Sequence, residues 1–420
     1  MADCTGQIEY IDVNVDVQGA LLAASQHDIP KLRQLIRANE SGENLANAKD
    51  PETGYTPLHA AIAACEPDSE EESSSKQANG DTGASGSKDD ASADTVQAAR
   101  ETVKFLLQEG AIWNDLDAND ETPGCLARRL GLNELYELMV DAGVRAEILL
   151  NRLDEYEPLE DDDENDAVGD KQDAHDAAEA ANAEVSAENN IEQPPSTAGD
   201  QAVTSSRYLQ SDLTFNDRHL LDQDKNGVMM SWETDIMLKS AKALIPIPGL
   251  RVLNIGHGMG IVDGIIQDLN PESHHIVEAH PAVITEMKSK GWFDKPGVIV
   301  HEGKWQDVLP KLVEEGVTFD AIYYDTFAES YADFRHFFSE HVIGLLEPQG
   351  KWGFFNGMGA DRQLSYDVYQ KVVEMDLLEA GFDVEWEDIK VPSLEDEWTG
   401  VRRKYWVVDN YRLPICKYMD

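Results

Sequence analysis

A glycine-rich segment near residue 256 is the first candidate for chemistry. Residues 251–255, RVLNI, have the apolar pattern of a buried strand, and GHGMG at 256–260 follows them directly. Glycines at a strand-to-helix turn let backbone N–H groups approach a bound ligand closely. The same spacing occurs in nicotinamide, flavin and methyl-donor enzymes, and also in tight turns that bind nothing. We expect a nucleoside site here, and the turn alone does not identify the nucleoside.

Polar and aromatic residues after the next two predicted strands extend this site. Glu278 ends the second strand, 22 residues after Gly256. An acid about 20 residues beyond such glycines hydrogen-bonds ribose hydroxyls in Rossmann-type sites, although a surface acid is the alternative. Trp305 follows the third strand and is expected either to pack on the base or to belong to the core. Gln306 or Asp307 is then placed to bond the base amine.

The elements that must position these residues alternate from about residue 205 onward. RVLNIG is followed by four more short apolar segments, HHIVEAH, GVIVHEG, FDAIYYD and KWGFFNG, with stretches of helix length between them. This alternation predicts a parallel sheet with helices on both faces. LLEPQGKWGFF at 345–355 resembles the turn before the fifth strand of class I methyltransferases. LEAGF at 378–382 and the later YWVVDNYRLP resemble their terminal antiparallel hairpin.

Two acidic motifs carry a narrower resemblance over residues 205–420. VMMSWETDIM at 228–237 precedes the first strand, and YYDTF at 323–327 ends the fourth. Both resemble motifs of guanidinoacetate methyltransferase. The resemblance implies an α/β, class I Rossmann-like domain with a seven-stranded sheet and S-adenosylmethionine as methyl donor. It also implies that Glu233 and Asp325 are catalytic and grip the guanidinium of the acceptor.

The same resemblance implies which residues surround the cofactor. His257 occupies a position where that family has phenylalanine, and Tyr208 is expected nearby. The implied cofactor-binding residues are Tyr208, Met229, Met237, Gly256, His257, Gly258, Met259, Gly260, Ile261, Val262, Glu278, Ala279, His280, Trp305, Gln306 and Asp325.

The chemistry of a guanidinium agrees with a pair of carboxylates. The group is planar and positive, with a pKa above about 12, and it offers a fork of donors that two carboxylates can hold. Alignment of the nitrogen with the methyl group at about 3 Å is a large part of catalysis. A carboxylate can also accept the proton that the nitrogen loses. The alternatives are a capping or surface role for Glu233 and a cofactor-only role for Asp325.

Residues 1–153 are predicted to form an all-α, ankyrin-like module. Two short helices broken near Asp28 and Pro30 precede TPLHAA at 56–61, which resembles the ankyrin helix start. A second Thr-Pro occurs at Thr122, and a helical pair is expected over 133–153. A disordered insertion over about 66–94 accounts for the long spacing between the two Thr-Pro pairs. An unrelated helical bundle is the alternative.

Residues 154–204 are acidic and alanine-rich, which predicts a flexible linker. Ankyrin-like helices followed by this domain resemble the fungal arginine N-methyltransferases that modify the internal (δ) guanidino nitrogen of protein arginine. This resemblance implies a protein substrate, and a ribosomal protein in particular. A small-molecule guanidino methyltransferase and a non-catalytic ankyrin scaffold are the alternatives. Deletion of residues 1–150 is expected to weaken substrate capture and leave cofactor affinity intact.

Charge and cysteine content narrow the partners. The formal net charge of -47 disfavours nucleic acid and favours a basic protein partner. The four cysteines are far apart and the eleven histidines form no metal-binding motif, so we expect no metal. With no signal peptide and no apolar run of membrane length, we expect no membrane contact and a cytoplasmic and nuclear location. Separately, we expect a monomer.

Overall fold

The computed structural model of the chain describes four ranges, which are residues 15–38, 44–66, 88–153 and 203–419. The described residues before 154 are helical, and those from 203 onward form an α/β structure. The predicted linker, residues 154–204, lies outside the described residues except at its last two positions. Most of the predicted insertion, residues 66–94, also lies outside them. A helix already begins at Lys88, six residues before the predicted end of that insertion.

The described residues before 154 form six α-helices, which together are called the N-terminal layer. Its helices are α1 Val15–Ser25, α2 Ile29–Ala38, α3 Pro57–Ala63, α4 Lys88–Gln108, α5 Pro123–Arg129 and α6 Asn133–Leu153. The predicted break near Asp28 separates α1 from α2. The prediction of a helical pair over 133–153 is wrong, because α6 is one continuous helix over these residues. Its central Gly143 allows close packing, since an added Cβ there would lie 2.6 Å from Val368 Cγ2.

Both Thr-Pro pairs begin helices. Thr56 is the N-cap of α3 and Pro57 its first residue, while Thr122 and Pro123 hold the same places in α5. The Thr122 hydroxyl accepts a hydrogen bond from the backbone N–H of Cys125 at 3.2 Å. Proline at the first helical position loses no hydrogen bond, and a threonine oxygen satisfies an otherwise free N–H group. Local chemistry therefore sets both helix starts.

The α/β part is built on a seven-stranded sheet. Its strands in spatial order are β6 Val298–Glu302, β5 Ser273–Glu278, β4 Arg251–Ile255, β7 Phe319–Tyr324, β8 Leu346–Phe354, β10 Asn410–Tyr418 and β9 Phe382–Lys390. The first five run parallel, and β10 is antiparallel to both β8 and β9. This is the class I methyltransferase arrangement that the sequence predicts.

Alternate residues of the central strands pack on opposite faces of the sheet. Val252 belongs to the apolar cluster on one face, and the next residue, Leu253, belongs to the cluster on the other. Both side chains are buried because helices cover both faces, as parallel sheets require. The covering helices are α8 Thr234–Leu244, α9 Ile261–Asp268, α10 Pro281–Ser289, α11 Trp305–Glu314, α12 Tyr331–His336, α13 Val342–Leu345 and α14 Gln363–Glu379.

Helix α14 packs on both parts of the molecule. Leu364, Val368 and Val372 are fully buried in the apolar core of the N-terminal helices. Val373 and Leu377 on the same helix are fully buried in a core of the sheet. The N-terminal layer and the α/β part therefore share a helix rather than meeting only through the chain between them.

A small antiparallel sheet precedes β4 and was not predicted. It follows the short helix α7 Ser205–Leu209 and consists of β1 Thr214–Phe215, β2 His219–Leu221 and β3 Gly227–Met230. A single 3-10 turn, Ser231–Glu233, joins β3 to α8. Within the four described ranges, no helix is both long and apolar enough to cross a membrane.

Candidate active site

The glycine turn after β4 has a backbone that side chains would not fit. Gly256, Gly258 and Gly260 have φ of 92°, 54° and 79°, in the left-handed region. A Cβ on Gly256 would lie 1.8 Å from the carbonyl oxygen of Asp325, and one on Gly258 would lie 2.8 Å from Met229 Cε. The backbone conformation favours glycine at all three positions, and at position 256 the backbone of Asp325 also leaves no room for a side chain.

The carboxylate of Glu278 holds this turn in place. Its Oε2 accepts hydrogen bonds from the backbone N–H groups of His257 at 2.9 Å and Gly258 at 3.4 Å. Its Oε1 accepts from the N–H of His280 at 2.7 Å. A carboxylate offers about four acceptor positions, so capacity remains for a ligand hydroxyl. The predicted contact of Glu278 with a ribose is compatible with this geometry and stays a prediction.

Beneath the turn lies a buried histidine–aspartate–histidine arrangement that sequence reasoning missed. Asp263 in α9 lies 2.6 Å from His257 Nδ1 and 3.0 Å from His274 Nε2. Asn254 Nδ2 donates to the same carboxylate at 2.8 Å. Burial opposes the charge of Asp263, but the two histidines outweigh it and lower its pKa to about 2. The turn is thus tied to α9 and β5.

Several of the predicted cofactor residues surround the turn. His280 caps α10, and its Nε2 lies 3.0 Å from the carbonyl oxygen of Tyr208. The rings of Tyr208 and His280 are 4.8 Å apart. The backbone N–H of Met259 lies 3.3 Å from Met229 Sδ. Of the rest, Met237 and Val262 are buried, whereas Ile261 and Ala279 are half-buried.

Trp305 lies in the core beside this site. Its indole N–H donates to both oxygens of Glu329, at 2.8 and 2.9 Å. Its ring centroid is 6.2 Å from that of Tyr324 and 5.7 Å from that of Phe337. The ring is thus buried in a core of the sheet, and the predicted contact of Trp305 with the cofactor stays a prediction.

Gln306 presents an acceptor that no described residue uses. Its Nε2 donates to Glu329 at 3.3 Å, while its Oε1 is buried with no hydrogen-bond partner among the residues that the structure describes. A buried acceptor without a partner is costly, and an adenine amine is a suitable donor. Together with the glycine turn and Glu278, this orphaned atom shows that the residues present fit S-adenosylmethionine.

The two predicted catalytic acids lie close to this turn. Glu233 is buried in the 3-10 turn before α8, and the Tyr405 hydroxyl donates to its carboxylate. Asp325 directly follows β7, and its N–H donates to the carbonyl oxygen of Ile255, the residue before Gly256, at 2.9 Å. One carboxylate oxygen of Asp325, Oδ2, is shielded from solvent and has no partner among the described residues.

Both acids hold protons more tightly than usual. Burial, and then the charge of Asp325, raises the pKa of Glu233 to about 8. Burial, and then the charge of Asp263, raises the pKa of Asp325 to about 7. Among the described residues neither acid forms an ion pair, and no group of three or more His, Cys, Asp or Glu side chains is arranged to hold a metal. No cationic side chain among the described residues is therefore paired with either acid.

Comparison with known proteins agrees with this geometry. The model of the guanidinoacetate N-methyltransferase family matches residues 197–411. Protein arginine N-methyltransferase 2 of Aspergillus fumigatus is 66% identical over 97% of this chain and 98% of its own length. The protein of that name from Emericella nidulans is 66% identical over 98% and 99%. The chain belongs to the protein arginine N-methyltransferase 2 family. It is a methyltransferase, and S-adenosylmethionine is its methyl donor.

The O-methyltransferase TomG from Streptomyces achromogenes, solved in complex with SAM, superposes with a TM-score of 0.33 at 14% identity. The match covers 44% of this chain and 80% of that chain.

In this family member, several site residues had no signal in the sequence. The hydroxyl of Tyr405 donates a hydrogen bond to Glu233, 172 positions away in the chain. Glu329 accepts hydrogen bonds from Trp305 and Gln306, which are 24 and 23 positions away. Nothing in the local pattern around Tyr405 predicts such a contact. Glu329 lies only four residues after Asp325, so its place on the loop beyond the fourth strand was the one available hint.

Proposed function

We propose that the enzyme transfers the methyl group of S-adenosylmethionine to the internal (δ) guanidino nitrogen of an arginine in a basic protein. The observation that carries this proposal is the buried pair Glu233 and Asp325, which lacks a cationic partner among the described residues. Burying two carboxylates without a cation is unfavourable, and a guanidinium supplies the missing charge. The name of the relatives supports arginine as the acceptor.

The two acids would act together on the guanidinium. Paired hydrogen bonds to the planar donor fork would fix its orientation, with one nitrogen facing the glycine turn. Bound S-adenosylmethionine would supply the methyl group from its sulfonium sulfur, which leaves as a neutral thioether when the C–S bond breaks. One of the two carboxylates would accept the proton that the attacking nitrogen loses. The internal nitrogen has room for one added methyl, so mono-methylation follows.

The N-terminal helices are proposed to be ankyrin-like and to dock the protein substrate. The repeated Thr-Pro helix starts at Thr56 and Thr122 support this assignment. The net charge of -47 is complementary to a basic partner, and we propose a ribosomal protein as substrate. We further propose that the enzyme acts as a monomer in the cytoplasm and nucleus.

A small guanidino compound is the second candidate acceptor. The family model that matches residues 197–411 carries the name guanidinoacetate N-methyltransferase, which favours this alternative. Both acceptors present the same guanidinium to Glu233 and Asp325. They differ in whether a polypeptide can reach the pair.

An assay with labelled S-adenosylmethionine separates the two candidate acceptors. The enzyme is given either guanidinoacetate or ribosomal proteins from cells that lack the enzyme. We expect the label to appear on protein. In tandem mass spectrometry the methylated arginine should not lose methylamine, because a δ-methyl group is not on a terminal nitrogen. Label on guanidinoacetate alone would refute a protein substrate. Asp325→Ala and Glu233→Gln should each abolish turnover, and Glu233→Gln should still bind S-adenosylmethionine. The control Asp235→Asn, an exposed acid two residues from Glu233, should keep activity within about twofold.

A further inference from the structure

Two buried amide side chains meet between the active site and helix α14. Asn356 follows β8, and Gln370 lies on α14, with exposed fractions of 2% and 3%. Asn356 Nδ2 donates to Gln370 Oε1 at 3.0 Å, and Gln370 Nε2 donates to Asn356 Oδ1 at 2.9 Å. Two reciprocal bonds in a solvent-free setting hold both side chains in one geometry.

Asn356 lies at the same edge of the sheet as the acid pair. The N–H of the preceding residue, Phe355, donates to the carbonyl oxygen of Tyr324 at 2.9 Å, and Asp325 follows Tyr324 directly. The N–H of Asn356 donates to the hydroxyl oxygen of Tyr411 at 3.0 Å. Burial raises the pKa of Tyr411, and the nearby charges of Asp325 and Glu233 raise it further.

Asn356 is also bonded to the terminal hairpin. Its Nδ2 donates to the carbonyl oxygen of Arg412 at 2.8 Å, and the N–H of Arg412 donates to the hydroxyl of Tyr366 on α14 at 3.0 Å. The end of β8, the start of β10 and the middle of α14 therefore meet at this one asparagine. A shift of α14 would be transmitted to the strand end beside Asp325.

The position of α14 is set in turn by the N-terminal helices. Val368 and Val372, two residues on either side of Gln370, are buried in the N-terminal core. Polar bonds flank them, from Tyr136 to Asp367 and from Tyr369 to Glu147 at 3.1 Å. One face of the helix thus contacts the N-terminal layer, while Gln370 contacts the catalytic part.

We infer that Asn356 and Gln370 are positioning residues, through which the seating of α14 on the N-terminal helices sets the geometry of Glu233 and Asp325. This inference rests on the proposed function of the acid pair. Neither amide touches the reacting atoms. The N-terminal layer then has a second role besides substrate docking, because its contact with α14 supports the catalytic geometry.

Gln370→Met tests the inference, since it keeps the length of the side chain and removes both amide bonds. The matched control is Gln363→Met on the same helix, which removes a bond to Asp367 and leaves Asn356 untouched. With the full chain and its arginine acceptor, we expect Gln370→Met to lower kcat per S-adenosylmethionine-binding site about tenfold, because small misplacements of reacting groups are costly. Cofactor Kd should stay within about twofold, and Gln363→Met should leave kcat within about twofold.

A kcat per binding site that stays within about twofold of wild type in Gln370→Met would overturn the inference, even if Tm falls. If that variant does not fold, Asn356→Leu, which removes the amide group without adding a charge, is measured in the same way and decided by the same outcomes. Failure of the proposed function looks different, because the wild-type enzyme would then bind S-adenosylmethionine and methylate no arginine.

Discussion

His257 Nδ1 lies 2.6 Å from Asp263 Oδ2, and both side chains are buried. His257 belongs to the glycine turn, Asp263 to α9, and His274 on the other side of the carboxylate to β5. One carboxylate therefore joins three elements directly under the predicted cofactor site. The resembled family has phenylalanine at position 257, whereas the histidine of this chain contacts Asp263.

Asp263→Asn should loosen this junction. We expect a loss of about 1–3 kcal/mol in the free energy of unfolding and weaker binding of S-adenosylmethionine. Because the pKa of Asp263 is held at about 2, its contribution is full above the ordinary value of 3.8 and is lost as the pH falls towards 2. Acid unfolding and calorimetry measure both effects. Asp268→Asn, an exposed acid on the same helix, is the control, and equal effects in the two variants would contradict the role.

The pH dependence of turnover should follow the acid pair. The pKa values of Glu233 and Asp325 are raised to about 8 and about 7, and both groups must be ionised to hold a guanidinium. Arginine stays protonated throughout this range. We therefore expect kcat/KM for the arginine acceptor to rise as the pH increases from 6 to about 9. The apparent pKa values of this profile belong to the pair rather than to either acid alone. A flat profile would argue against the pair as the guanidinium site.

The same raised pKa values predict the stability of the enzyme without ligands. In the folded state the two acids keep protons that the unfolded chain releases near pH 4 to 5. The free energy of unfolding should therefore fall as the pH rises from about 5 to about 8. Denaturant unfolding at several pH values measures this slope, and the slope should shrink in Glu233→Gln. An unchanged slope in that variant would show that Glu233 titrates normally.

Gly256→Ala should damage the site far more than Gly264→Ala. The added Cβ at position 256 would lie 1.8 Å from the carbonyl oxygen of Asp325, whereas nothing lies within 4 Å at position 264. We expect Gly256→Ala to abolish turnover and S-adenosylmethionine binding. Gly264→Ala, inside α9, should be neutral or stabilise the enzyme by up to about 1 kcal/mol. Calorimetric titration and thermal unfolding test both variants, and tight cofactor binding by Gly256→Ala would rule out a strained, close-packed turn.

Removal of the N-terminal helices should destabilise the α/β part. The sequence suggested that a chain lacking residues 1–150 keeps its cofactor affinity, but Leu364, Val368 and Val372 are buried against those helices. A chain starting at residue 203 exposes these side chains, and we expect it to aggregate or to unfold at a lower Tm. Replacement of the three residues by glutamine should restore solubility. A soluble, unmodified fragment with wild-type Tm would contradict the shared core.

What could be predicted from the sequence was local. The alternation of apolar segments indicated the parallel sheet, since strands buried on both faces need continuous apolar runs. The Thr-Pro pairs indicated two helix starts, and the glycine spacing indicated the turn after β4. Glu233 and Asp325 were found by resemblance of the short motifs around them, and the structure places both near Gly256.

Only the tertiary structure decided which distant side chains meet. The bond between Tyr405 and Glu233 spans 172 positions, and the core residues that α14 shares with the N-terminal helices come from opposite ends of the chain. The ring of Trp305 lies in the core because Glu329 and neighbouring aromatic rings enclose it. Periodicity and capping report on neighbours along the chain, whereas burial and charge pairing depend on how separate elements pack, which no local pattern encodes.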